Sequence, residues 1–353
     1  MNRAFRAAAV LLVAATFLPG HAAEAVADAN SDASVVVVID NNIENMSGYP
    51  NPMPQGYCPG DWTDLVAWMR TQQHVPDVFL VQQLSDGAQA RQLAQRMTDD
   101  LHGTYAAIVA VESPSTANMN TGCSNKTTQT NAIIYRTGRF SLVAGSVLTW
   151  QSLHETSAGV CGPNDQDRSI NVVANLRDTL AAKTVTVASL HWPTRDHGGA
   201  PCTSQNLTLT QQQVAAARAT SALSVFGGDL NTSEFVDWTP SSAYQPWYTT
   251  ARNQNADPVY DACSGASAVK QCLVDPHWTS KTDGGEHRRL DYLFAARKGL
   301  TAWAPATFRN TLTDTVSYEN ADAADTSGGD RSSSTGDAGQ YSLHRAVRAY
   351  VKY

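Results

Sequence analysis

The chain has 353 residues, of which 42% are hydrophobic and 32 are acidic against 25 basic, for a formal net charge of −7. So much apolar material excludes a disordered chain and suffices for one large buried core, or on length alone for two domains. The acidic balance excludes a broad electrostatic pull toward nucleic acid or an anionic membrane, although a few arginines or a metal ion in a local groove would not show in the sum.

In chain order, Arg3 and Arg6 lead an apolar run at residues 7–18, and the small residues Ala22, Ala23 and Ala25 follow. This is the pattern of an export signal, read here as residues 1–25, and the apolar run is too short to anchor a mature protein across a bilayer. The protein is therefore expected to be secreted, with no stable membrane anchor. Residues 35–39 form a β-branched run that ends in Asp40, Asn41 and Asn42, which reads as a buried strand delivering polar side chains at its C-terminal end. Asp61 caps a predicted helix carrying Leu65, Val66 and Met69. Pro76 marks the entry to a strand at 78–81, and a helix is expected over 88–101. Asp77, next to Pro76, reads as a turn residue leading into that strand.

Further strands are expected at 105–111, 132–136, 140–148, 169–176, 184–190, 223–226, 290–295 and 345–351. A third helix over 207–219 turns Leu209, Val214 and Ala217 inward. The segments 116–129, 154–167 and 321–339 are rich in Ser, Thr, Asn, Asp and Gly and read as loops. No linker divides the chain, so one domain over 34–353 is the simpler organisation. A doubly wound parallel sheet would fit the pattern, but hairpin-length spacing and few helices in the later half favour paired sheets with helices outside.

The six cysteines, Cys58, Cys123, Cys161, Cys202, Cys263 and Cys272, contain no Cys-x-x-Cys pair. In an exported chain an even number points to disulfides rather than to a zinc ribbon or a redox pair. Cys263 with Cys272 is the expected bridge, because both fall in a segment, 261–275, that lacks hydrophobic periodicity and reads as a loop.

Several polar elements, each beside a predicted strand, carry the chemistry: Asn42-Ile43-Glu44-Asn45-Met46, Pro76-Asp77 through Val81-Gln82-Gln83, Ser189-Leu190-His191-Trp192, Gly228-Asp229-Leu230-Asn231, Leu290-Asp291-Tyr292-Leu293-Phe294, and Tyr341-Ser342-Leu343-His344-Arg345. Any one alone is weak, since a Gly-Asp-x-Asn segment is usually a turn. Taken together and in this order they resemble the endonuclease/exonuclease/phosphatase family, over essentially the whole of residues 34–353. The resemblance implies a four-layer α-β-β-α sandwich of two mixed sheets flanked by helices, with the catalytic groups at one edge of both sheets.

Phosphate ester hydrolysis requires cations and donors at the phosphoryl oxygens, a positioned water and a proton for the leaving oxygen. Histidine suits the proton step when a carboxylate orients it. By resemblance His344 contacts the phosphate or handles the proton, Asp291 orients it, and His191 is the second phosphate-facing histidine. Asp229 aligns or activates the water and Asn231 donates to a phosphoryl oxygen. Asn42 is the strand-end residue that helps hold the metal or phosphate, and Arg168 is the candidate phosphate-binding cation.

The pattern breaks in two places. The family's second element ends in Leu-Gln-Glu, whose Glu is the chief magnesium ligand, and here Gln83 stands there. The last element is normally Ser-Asp-His, and here Leu343 precedes His344. Magnesium is commonly held by one or two carboxylates, so a divalent metal, magnesium or manganese, is expected to bind at low affinity if at all. Asp40 and Glu44 are the nearby acidic residues, but Asp40 shares a face with Asn42 by strand alternation and Glu44 lies past the strand end, so neither is expected to compensate.

Three readings follow: a secreted phosphodiesterase or phosphatase with an altered metal site, a non-catalytic descendant that binds a phosphate-bearing ligand, and an unrelated Ser/His/Asp hydrolase. No Gly-x-Ser-x-Gly elbow supports the third. The expected partner is a phosphate ester, nucleic acid or lipid head group, and the expected state is a monomer.

Overall fold

The computed structural model describes residues 28–44, 62–116, 128–281, 286–309, 313–316, 342 and 344–353. The export signal, Asp61, Cys58, Cys123, Leu343 and the segment 321–339 lie outside the described residues. The first sheet holds β1 (Val35–Asn42), β2 (Val78–Leu84), β3 (Tyr105–Val109), β4 (Thr130–Arg136), β16 (Thr307–Phe308), β17 (Asp314–Val316) and β18 (Ala346–Lys352). The second holds β5 (Phe140–Leu142), β6 (Leu148–Gln151), β9 (Ile170–Asp178), β10 (Lys183–His191), β11 (Leu223–Asp229), β14 (Asp291–Lys298) and β15 (Trp303–Pro305). Two small hairpins, β7 (Leu153–Glu155) with β8 (Cys161–Pro163) and β12 (Ser280–Lys281) with β13 (His287–Arg288), lie outside both sheets.

Strand order explains why the β-branched runs are buried on both faces. In the first sheet the order is β16-β18-β1-β2-β4-β3, with β1 parallel to β2 and antiparallel to β18. In the second it is β15-β14-β11-β10-β9-β5, with β10 parallel to β11. Val36, Val38, Val78 and Leu80 meet Val172, Val185, Val187, Leu223, Val225 and Leu293 between the sheets. On the outer face of the first sheet, Ile39, Phe79 and Val81 pack on helices α1 (Trp62–Thr71) and α2 (Gly87–Asp100) through Leu65, Met69, Leu93 and Met97. On the outer face of the second, Phe226 and Phe294 pack on α3 (Thr203–Ala217) and α4 (Pro246–Gln254) through Leu207, Val214, Trp247 and Tyr248. The result is the expected four-layer α-β-β-α sandwich. Among the described residues no helix is long and apolar enough to cross a membrane.

Three expectations are corrected. The strand expected at 140–148 is two strands, β5 and β6, because the chain turns at Gly145, whose φ of +71° favours glycine. The loop expected at 154–167 contains most of the β7–β8 hairpin, which the Cys161–Cys202 disulfide ties to the start of α3. The loop expected at 261–275 is largely helical, with α5 (Pro258–Cys263) and α6 (Val269–Val274) joined by the expected Cys263–Cys272 bridge. Asp257 starts α5 by accepting from the backbone of Val259 and Tyr260, and Pro258 takes the first helical position. Helices this short carry too few turns to show a period.

Asp77 is more than a turn residue. It is fully buried, takes Arg136 at 2.6 Å and Arg139 at 2.8 Å, and Arg139 continues to Asp178 at 2.7 Å. This network joins the two sheets at the start of β2, the end opposite the strand-end residues discussed next.

Candidate active site

Strand alternation delivers the polar side chains. On β1 the inward series Val36, Val38 continues to Asp40 and Asn42, and on β10 Val185, Val187 continues to Ser189 and His191. On β11 Leu223 and Val225 lead to Asp229, and on β14, which runs the other way, Ala295 and Leu293 lead back to Asp291. Register pairs His191 with Asp229 and Asp229 with Asp291, so three functional side chains stand in one row on neighbouring strands. Gly228 permits this approach: a Cβ there would lie 1.8 Å from the Leu190 carbonyl oxygen, and its φ is +149°.

Asp229 is the hub. Its Oδ2 accepts from Asn42 Nδ2 at 2.9 Å, and His191 Nε2 and His344 Nε2 stand 3.7 and 4.0 Å from the same atom. Its Oδ1 accepts from the Asn231 backbone N–H at 2.9 Å, a side-chain turn that holds Asn231 at φ 49°, a conformation asparagine tolerates. Asn231 Nδ2 donates to the Trp192 carbonyl at 2.9 Å, using one of its two amide hydrogens. Asp291 Oδ2 lies 2.8 Å from His344 Nδ1, so the carboxylate fixes the Nδ1–H form and aims Nε2 at Asp229.

Backbone partners hold these groups in place. The His344 N–H donates to Ser342 Oγ, Ser342 Oγ donates to the Asn42 carbonyl, and Asn41 Nδ2 donates to the His344 carbonyl. Thr279 Oγ1 accepts from the N–H groups of both Leu290 and Asp291, and Ser280 bridges His344. Thr279 carried no sequence signal, because it sits far along the chain in an irregular segment.

The two histidines are driven apart. Burial pulls His344 down, but Asp291 and Asp229, with Glu44, outweigh it and push the imidazole up to about 10. Burial dominates at His191 and, with Arg168 and His344 adding to it against Asp229, lowers it to about 4. One ring is thus a cation at neutral pH and the other neutral. Burial also raises Asp229, although the neighbouring imidazolium and the Asn42 hydrogen bond oppose the shift.

Asn42, His191, Asp229, Asn231, Asp291 and His344 come together. Arg168, in a single 3-10 turn, is buried rather than a surface charge, and its guanidinium acts electrostatically on Asp229 and His191. Gln83 does not join the cluster among the described residues: a register shift between Val81 and Leu84 places it at φ 60°, and its Oε1 accepts from Gln129 Nε2 at 3.3 Å. Beneath the row lies a set whose mutual hydrogen bonds the sequence reading did not anticipate. Gln82 Nε2 donates to Asp40 Oδ1 on the neighbouring strand at 2.9 Å and across the sandwich to Ser189 Oγ at 3.1 Å, and burial together with Asp291 holds Asp40 well above the usual carboxylate range.

These residues fit the family's magnesium position poorly. The Asn42 amide is engaged at both ends, by Asp229 and by the Glu44 N–H, and Gln83 offers a neutral oxygen already hydrogen-bonded. Glu44, though past the strand end, turns back at φ 46° and brings Oε2 to 3.4 Å from Ser342 Oγ, so one acidic side chain does remain on that side. Separately, Asp229, Asp291 and His344 present ligand atoms within 4.8 Å of one another and could hold a divalent ion. Binding there would require His344 to release its proton.

No family profile and no curated protein matches the chain. Solved structures do. D. rerio TDP2 complexed with single strand DNA product shares 14% identity over 91% of this chain and 100% of its own, with a TM-score of 0.53. The endonuclease/exonuclease/phosphatase from Bacteroides vulgatus shares 14% over 90% and 99%, with a TM-score of 0.52. The human Nocturnin catalytic domain with bound sulfate anion shares 13% over 90% and 94%, with a TM-score of 0.51.

Proposed function

From a chain that has the endonuclease/exonuclease/phosphatase fold, we propose an exported phosphoesterase that hydrolyses a phosphodiester or phosphomonoester with water. The carrying observation is a buried Asp229 faced by two histidines, at 3.7 and 4.0 Å, whose surroundings shift them in opposite directions, His191 down by burial and His344 up by Asp291 and Asp229. Environments that separate two titratable groups in this way divide acid from base roles. Asp229 orients the attacking water and accepts its proton, while the His344 imidazolium, held by Asp291, balances phosphoryl charge and protonates the leaving oxygen. His191 and the free amide hydrogen of Asn231 face the phosphoryl oxygens, and Arg168 adds positive charge from behind. A nucleic acid or lipid head group supplies the ester; of the chains with this fold, one is complexed with single strand DNA product and another carries a bound sulfate anion, which supports a phosphate-bearing substrate. Magnesium or manganese binds weakly, because the metal-side amides are already hydrogen-bonded.

The test is hydrolysis of DNA, RNA, sphingomyelin and inositol phosphates by the purified mature protein, with and without magnesium, manganese and calcium. His191→Ala, Asp229→Asn and His344→Ala should each lower turnover roughly a hundredfold or more with folding intact. Full activity in His344→Ala would refute the assignment. The replacements at Gln83 and Leu343 favour a second reading, a binding-only descendant. That reading predicts affinity for one of these phosphate compounds and hydrolysis of none.

A further inference from the structure

Behind Asp229 and Asp291 lies a charged cluster that the proposed chemistry does not use. Glu234, Arg289 and Asp257 are all fully buried, as are Tyr248 and Tyr292. Arg289 Nη2 donates to both Asp257 oxygens at 2.7 Å, and Tyr248 donates to Asp257 at 2.7 Å. The guanidinium is therefore matched by one carboxylate, and among the described residues Glu234 has no counter-ion of its own.

The hydrogens around Tyr292 make the point independently. Its hydroxyl lies 2.8 Å from Glu234 Oε2, 2.8 Å from the Arg289 carbonyl and 3.1 Å from the Thr232 carbonyl. With Glu234 ionised there are three acceptors around one hydroxyl hydrogen. A proton on Glu234 removes one of the three competitors: Glu234 donates to the tyrosine oxygen, and the tyrosine hydrogen is left for the two carbonyls. Those carbonyls belong to the segments that carry the site, Thr232 just after Asn231 and Arg289 just before Asp291.

We propose that protonated Glu234 is a positioning residue which, through Tyr292, clamps the Asp229–Asn231 turn to the strand bearing Asp291. Its effect on turnover rests on the phosphoesterase reading; the clamp itself does not. Burial pushes Glu234 up to about 7, against the attraction of Arg289. The groups facing it are Arg289 and Tyr292 around β14, Asp257 at the head of α5, Tyr248 on α4, and Tyr244 before it. As pH rises through about 7 the proton leaves, the tyrosine hydrogen turns to the new carboxylate, and the carbonyls lose it.

Glutamine keeps a donor where the protonated acid has one, so the conservative variant distinguishes positioning from charge. Glu234→Gln should hold kcat within about twofold, and Glu234→Leu and Tyr292→Phe should each lower kcat on the order of tenfold or more with KM little changed. In the parent, carbon-13 NMR should show the Glu234 carboxyl titrating near 7, with the Asn231 and Asp291 amide signals moving at the same midpoint. An ionised Glu234 at about pH 5, or a Glu234→Gln loss as deep as that of Glu234→Leu, would overturn the proposal. A parent that hydrolyses nothing sinks the phosphoesterase reading, and the carboxyl titration then decides the clamp by itself.

Discussion

Asp291→Asn isolates the charge that holds the His344 imidazole. The amide oxygen can still accept the Nδ1–H, so orientation survives while the negative charge goes. His344 stands at about 10 against an ordinary 6.5, and each unit is worth about 1.36 kcal/mol, so the surroundings favour the imidazolium by about 5 kcal/mol. Asp291, in contact at 2.8 Å, is the first-ranked charge opposing burial, whereas Asp229 stands 4.0 Å away. Its removal should bring His344 back toward 6.5. The folded value is raised, so this stability is fully present below about 6.5 and lost as pH climbs to about 10. Denaturant titrations should therefore show the parent losing up to about 5 kcal/mol across that window, shared with other groups, and the variant losing much less. Imidazole NMR in the presence of a chelator reads the midpoint directly. The phosphoesterase reading adds that turnover in the variant should fall above about pH 6.5. A parent His344 that titrates near 6.5, or a midpoint unmoved in the variant, refutes the reasoning.

Two further outcomes are expected. Gln83→Glu with Leu343→Asp should tighten magnesium binding measured by calorimetry and raise hydrolysis, while the parent responds weakly; micromolar binding by the parent would show that Glu44 or another group has replaced the missing ligands. Mass analysis of unreduced protein should find Cys263 joined to Cys272 and Cys161 to Cys202, and six alkylatable thiols in native material would contradict the disulfide framework.

The first strand and the polar residues at its end were legible because burial on both faces leaves an unbroken β-branched run that stops abruptly, at Ile39 before Asp40. Period-2 alternation likewise placed Asp40 and Asn42 on one face before any contact was known. The Cys263–Cys272 pairing needed only proximity along the chain. What alternation cannot express is which strands become neighbours. The row His191, Asp229, Asp291 depends on β10, β11 and β14 lying side by side, and the two opposed histidine shifts depend on the charges that this pairing brings within reach. The turn of Gln83 toward Gln129 follows from a local register shift that no composition signals. The support from Thr279, and the clamp of Glu234, Tyr292 and Arg289, join residues distant in sequence. Local pattern determined which side chains reach the edge of the sandwich; long-range packing decided which of them share a proton, because hydrogen bonds and buried charges act over a few ångströms of space, whatever their separation along the chain.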